Sequence, residues 1–116
     1  MSHEKFQSCI DACLACTVEC NHCATACLGE DNVQMLARCV KLDVDCAQIC
    51  SLAADYMARG SEYAGQLCDL CAQICDACGA ECEKHAFHHD HCRACAEACR
   101  RCAEECRSMM SMSGNM

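Results

Sequence analysis

The sequence predicts an all-α fold, an antiparallel up-down-up-down four-helix bundle with a cysteine-lined core, and three observations carry that expectation. The 116 residues include no proline and only five glycines, the two residue types that most disfavour helix interiors. The cysteines recur with alternating steps of three and four, the spacing of the inward seam of a helix in a bundle. The strict alternation expected of a half-buried strand is missing throughout.

The elements follow in order. The first helix is expected from about Glu4 to Leu28, stopped by Gly29. Asp31 or Asn32 is placed to cap a second helix, which runs to about Ala58 before Arg59-Gly60. The third begins among Ser61, Ala64 and Gly65 and ends near Lys84; the fourth starts around Asp90 and fades near Ser108. Connections this short force consecutive helices to run antiparallel. The chain is thus expected as one domain, residues 1–108, followed by a flexible Met-rich tail, 109–116.

The cysteines define the seams. The first helix carries Cys9, Cys13, Cys16, Cys20, Cys23 and Cys27. The second is sparser, with Cys39, Cys46 and Cys50, and its remaining seam positions hold Leu36, Asp43, Ala53 and Met57. The third carries Cys68, Cys71, Cys75, Cys78 and Cys82, and the fourth Cys92, Cys95, Cys99, Cys102 and Cys106. Three helices therefore offer sulfur where Leu or Ile is the usual core residue. With 19 cysteines and aromatics at 3%, the thiols must fill much of the interior. As space fillers they are poor, since each gives up apolar area worth ~25 cal/mol per Å² against leucine. A core built this way points to a sulfur-binding guest that replaces the missing packing.

Continuing the seams shows what closes each end. The third seam runs past Cys82 to His85 and His89; the fourth, read backwards from Cys92, reaches His88 and His85. His91 flanks the seam. These histidines form one end, near Cys27 and Leu36, and are candidate ligands or a way in for metal. Phe6, Met57, Ala64 and Met109 meet at the opposite end and are expected to plug it. His22 faces outward by the helical period. Asp43, a carboxylate at a core position, is costly unless it is hydrogen-bonded to a neighbouring helix.

Thiolate is a soft ligand suited to Cu(I), Zn(II) or iron–sulfur clusters. Exchanging each thiol proton for one Cu(I) leaves the core formally neutral, whereas several four-thiolate zinc sites would concentrate negative charge in a dry channel. Cu(I) also accepts bridging geometries of low coordination number, which a continuous ladder supplies at many places. The expectation is storage of many Cu(I) ions, roughly one per cysteine, in multinuclear thiolate clusters. Many equivalent ligands with no open catalytic position describe a binding protein, not an enzyme. The alternative is a ferredoxin-like iron–sulfur redox protein. Its usual run, C-x2-C-x2-C-x3-C-P, requires two successive two-residue gaps and a proline, and the sequence has neither.

The formal charge of −8 without a basic patch argues against nucleic acid. The start, MSHEKFQSC, lacks an apolar signal stretch, and no segment is long enough to span a membrane, so a cytoplasmic protein with reduced thiols is expected.

The stretches CNHC (Cys20 to Cys23), CVKLDVDCAQIC (Cys39 to Cys50), CDLCAQICDACGAEC (Cys68 to Cys82) and HHDHCRACAEAC (His88 to Cys99) resemble the bacterial copper storage proteins, over about residues 6–107. The absence of a signal resembles their cytosolic branch. The resemblance implies a four-helix bundle that assembles as a homotetramer and fills with Cu(I) on inward cysteines, exchanging copper with transient donor or acceptor proteins. The segment from Cys82 through His85 to His89, Asp90, His91 and Cys92 resembles the family's histidine-bearing mouth.

Overall fold

The computed structural model of the chain describes residues 6–114. Four helices follow one another: α1 (Gln7–Leu28), α2 (Ala37–Ala58), α3 (Ala64–His85) and α4 (Asp90–Gly114). Among the described residues there is no strand. Each helix packs on its neighbours in sequence, and α1 against α4 closes the ring, giving the expected antiparallel bundle. It measures 49 × 18 × 18 Å. No helix among the described residues is long and apolar enough to cross a membrane.

The connections refine the expected boundaries. Glu4, the expected start of the first helix, lies outside the described residues. Gly29 ends α1 in a right-handed conformation, with Gly29 N–H on the Ala26 carbonyl and Glu30 N–H on that of Cys27. These bonds tighten the last turn and use two otherwise orphaned carbonyls. Asn32 makes no side-chain cap; one 3-10 turn, Val33–Leu36, leads into α2 instead. Leu36 is fully buried there, so the apolar residue anchors the turn in place of a polar cap. Between α2 and α3, Gly60 takes the left-handed conformation (φ 65°), and Ser61 N–H reaches back to the Tyr56 carbonyl at 3.0 Å. That is a Schellman ending, and the left-handed residue favours glycine for lack of a Cβ clash. The fourth helix runs on past its expected end at Ser108 to Gly114, and Met109, assigned by sequence to both the plug and the tail, is buried. Residues 115 and 116 of the expected tail lie outside the described residues.

Small residues flank the sulfur seams. Ala47, Ala54, Ala72, Ala96 and Ala103 are buried beside the cysteines and let the helices approach closely. At Gly79 on α3 a Cβ would come within 3.3 Å of the Cys99 Cβ on α4, tighter than ordinary van der Waals contact. The same two helices are tied on their outer faces by ion pairs from Arg100 to Glu83 and from Arg107 to Asp76. Close approach matters because a thiol is short: only near-touching helices bring sulfurs of different helices together.

Candidate metal centre

All 19 cysteines are buried and unpaired by disulfides. Their sulfurs form one column along the bundle axis. Near the end formed by Phe6, Met57, Ala64 and Met109, Cys9 Sγ lies 3.6 Å from Cys106, and Cys13 lies 3.5 Å from Cys102. In the middle, Cys50 meets Cys71 at 3.6 Å, Cys46 meets Cys75 at 3.5 Å, and Cys20 meets Cys95 at 3.6 Å. At the other end Cys39 and Cys82 approach to 3.4 Å, with Cys23, Cys27 and Cys92 about them. Every one of these closest pairs joins two different helices, which no single seam could do.

The sulfurs group in fours. Cys16, Cys46, Cys50 and Cys75 form one set, Cys16, Cys20, Cys46 and Cys99 a second, and Cys20, Cys78, Cys95 and Cys99 a third, each with ligand atoms within 4.8 Å of one another. These three central sets share members, so a metal ion in one is adjacent to the next; Cys13, Cys71, Cys102 and Cys106 form a further set towards one end, and Cys23, Cys27, Cys39 and Cys92 another towards the other. Discrete tetrahedral zinc or iron–sulfur centres would need sets with exclusive ligands.

Burial and crowding push several of the thiols above their ordinary value. Cys20 is raised above its ordinary value by neighbouring thiols, Cys16 first, and by burial. Cys27, nearer the opening, is pushed up to about 12, by burial first and then by the Cys39 charge. Removing a thiol from water penalises the thiolate, so a proton must leave for each soft cation that binds.

Asp43 interrupts the column on α2. It is 0% exposed, and its Oδ1 accepts from the thiols of Cys78 (3.1 Å), Cys95 (3.2 Å) and Cys82 (3.6 Å). Its Oδ2 takes the Cys39 thiol at 3.8 Å. The hydrogen bonds to neighbouring helices expected of a core carboxyl are thus present. Burial, then the proximity of Cys95 and Cys78, pushes its pKa up to about 11, so it is a neutral acid at neutral pH.

The histidines divide differently from the seam reading. His91, which only flanks the seam, points its Nδ1 at three sulfurs: Cys23 and Cys92 at 3.6 Å and Cys27 at 3.8 Å. Its Nε2 lies 3.0 Å from Glu30 Oε2, and the same oxygen lies 3.2 Å from His89 Nδ1. Glu30 is held below the usual carboxylate range by the His91 hydrogen bond. His85, expected on the sulfur seam, turns its Nε2 to Glu81 at 3.1 Å instead. Glu81 also meets Lys84 and Arg38, an arrangement that pins α3 to α2. His88 and His22 are exposed, His88 packing its ring edge-on to Phe87. Sequence reasoning missed Glu30 and Glu81. Neither lies on a cysteine seam, and an acidic residue in the connection after Gly29 carries no periodic signal.

The family description "Copper storage protein" matches this chain over residues 2–111. The chain belongs to the copper storage protein family. Among solved structures, the Cu(I)-bound copper storage protein BsCsp3 is 52% identical, superposes with a TM-score of 0.85, and is matched over 90% of this chain and 96% of its own. A cytosolic copper storage protein from Streptomyces lividans, solved with five coppers, is 40% identical with a TM-score of 0.90, and 95% of each chain is covered. A cysteine-rich protein of Bacillus subtilis, YhjQ, is 52% identical over 90 residues, 78% of this copper storage protein and 82% of the relative. The iron–sulfur alternative finds no support in these matches.

Proposed function

We propose that this protein stores Cu(I) in the cytoplasm, taking up roughly one ion per cysteine in multinuclear thiolate clusters. The observation that carries the reading is the sharing of thiols among the central four-sulfur sets, which Cys50 joins to the closed-end set by meeting Cys71 at 3.6 Å and Cys102 at 3.7 Å. A store needs many similar sites in contact, so that an ion can pass inward by exchange between adjacent thiolates. Each Cu(I) that displaces one proton leaves the column neutral, and this removes the charge penalty that burial imposes on free thiolates. The role is binding, not catalysis.

The ligands in this reading are the 19 cysteines and His91, with His89 beside it at the mouth. His85 belongs to the mouth in the same reading, where its Nε2 lies 3.1 Å from Glu81. The cytoplasmic assignment draws support from the Streptomyces lividans relative, described as cytosolic. Assembly as a homotetramer is supported by apolar side chains left exposed on the bundle's outer faces, among them Leu14 and Val18 on α1 and Leu70 on α3. Copper donor and acceptor proteins would exchange ions at the histidine end.

The deciding experiment is anaerobic titration of the reduced protein with Cu(I) against a competing chelator, followed by ultraviolet charge-transfer absorbance. Uptake approaching one ion per cysteine is expected. Saturation at a few ions, or preference for zinc or iron, would overturn the storage reading.

A further inference from the structure

We propose that Glu30 is the positioning residue of the mouth, fixing His91 in the tautomer whose bare Nδ1 faces the sulfurs of Cys23, Cys27 and Cys92. The inference deepens the storage reading and rests on it for the role of His91.

A neutral imidazole has one N–H donor and one lone pair, and a carboxylate only accepts. The 3.0 Å contact between His91 Nε2 and Glu30 Oε2 therefore uses the Nε2–H. The lone pair is left on Nδ1, which points at the three outermost sulfurs from 3.6 to 3.8 Å. In the opposite tautomer Nδ1–H would donate to a thiol, and the nitrogen would have nothing to offer a cation. Glu30 thus decides whether the mouth holds a ligand or merely another donor.

The placement is specific. Glu30 stands in the connection after α1, held by its own N–H on the Cys27 carbonyl, whereas His89 and His91 come from the junction of α3 and α4. The Glu30 side chain is partly open to solvent and could have been hydrated. It instead accepts from both imidazoles through one oxygen, and their rings lie with centroids 5.3 Å apart. A carboxylate on the outer nitrogen of a metal-binding histidine orients the ring and raises its basicity, and its loss typically costs about 10–100-fold in metal affinity.

The test uses Glu30→Ala and Glu30→Gln in the full chain, with two readouts. Long-range 1H–15N correlation of the metal-free protein reports which His91 nitrogen carries hydrogen. Competition with a Cu(I) chelator reports the affinity at the mouth and the total capacity. The wild type is expected with Nε2–H. Glu30→Ala is expected to mix the tautomers and to weaken mouth binding about 10–100-fold at unchanged capacity. Glu30→Gln, which keeps an accepting oxygen, should preserve the tautomer and most of the affinity. A wild-type His91 with hydrogen on Nδ1, or a Glu30→Ala protein with unaltered tautomer and affinity, overturns the proposal. Failure of the wild type itself to load copper would instead overturn the storage reading, and the tautomer of the metal-free protein would still decide the role of Glu30.

Discussion

At one end of the bundle Phe6, Met57, Ala64 and Met109 fill the space among the four helices with buried apolar side chains; at the other, His89, His91 and Glu30 surround the last sulfurs with polar groups partly open to water. The column between the ends is chemically uniform apart from Asp43. Direction is therefore not a property of the thiols, which are equivalent along the seams. It comes from the ends: one is packed with buried apolar side chains, and the other sets a histidine nitrogen against the last sulfurs.

The largest expected effect is copper itself. Each ion held at a free concentration a thousandfold above its Kd adds about 4 kcal/mol to stability, so the loaded protein should melt far above the metal-free form, as scanning calorimetry under argon would show. Little difference in melting would mean that the column does not need its guest.

Breaking the closed end should cost stability without touching capture. Met57→Ala removes a fully buried side chain and is expected to destabilise the metal-free protein by about 2–5 kcal/mol in chemical denaturation, while the rate of Cu(I) uptake stays as in the wild type. Faster uptake in this variant would reveal a second opening.

Asp43 sharpens the contrast within the column. Its folded pKa of about 11 lies above the ordinary 3.8, so the unfolded chain gives up this proton first as pH rises. The contribution is intact below 3.8 and drains upward through the window to 11, by about 1.4 kcal/mol per pH unit. Denaturation at pH 5 and pH 8 should show this slope in the metal-free wild type and its loss in Asp43→Asn. Glu30 and Glu81, whose pKa values are lowered, act with the opposite sign: their stabilisation is lost as acid protonates them.

Breaking the mouth should invert the Met57 result. His91→Ala is expected to slow stopped-flow capture of Cu(I) about tenfold or more, the low end of what losing a metal-site group costs, with stability nearly unchanged. Smallest is Gly60→Ala, which forces a Cβ into the left-handed region for about 1–2 kcal/mol and leaves copper uptake alone.

How much of this was readable in advance differs between the seams and the ends. Cys9 through Cys106 could be placed inward from spacing alone, because a residue every 3.5 positions has one face available to it in a bundle. The plug residues followed by extending the same seams, and so did Asp43 as a core carboxyl. The helix junctions did not follow: Leu36 replaced Asn32 at the start of α2, since burying an apolar turn outweighed a polar cap. The same limit applied to His85 and His91, whose positions relative to the last regular turn fix nothing about where a ring rotates.

The sequence by itself determined the fold, the sulfur seams and the soft-metal chemistry, because helical period and residue type are local properties that survive any arrangement of the loops. Only the tertiary structure decided which sulfurs meet across helices, that four thiols converge on Asp43, that His91 faces the column while His85 turns to Glu81, and that Glu30 reaches across to both mouth histidines. Those facts depend on distances between segments far apart in the chain, and these are set by how closely Gly79 and the buried alanines let the helices pack.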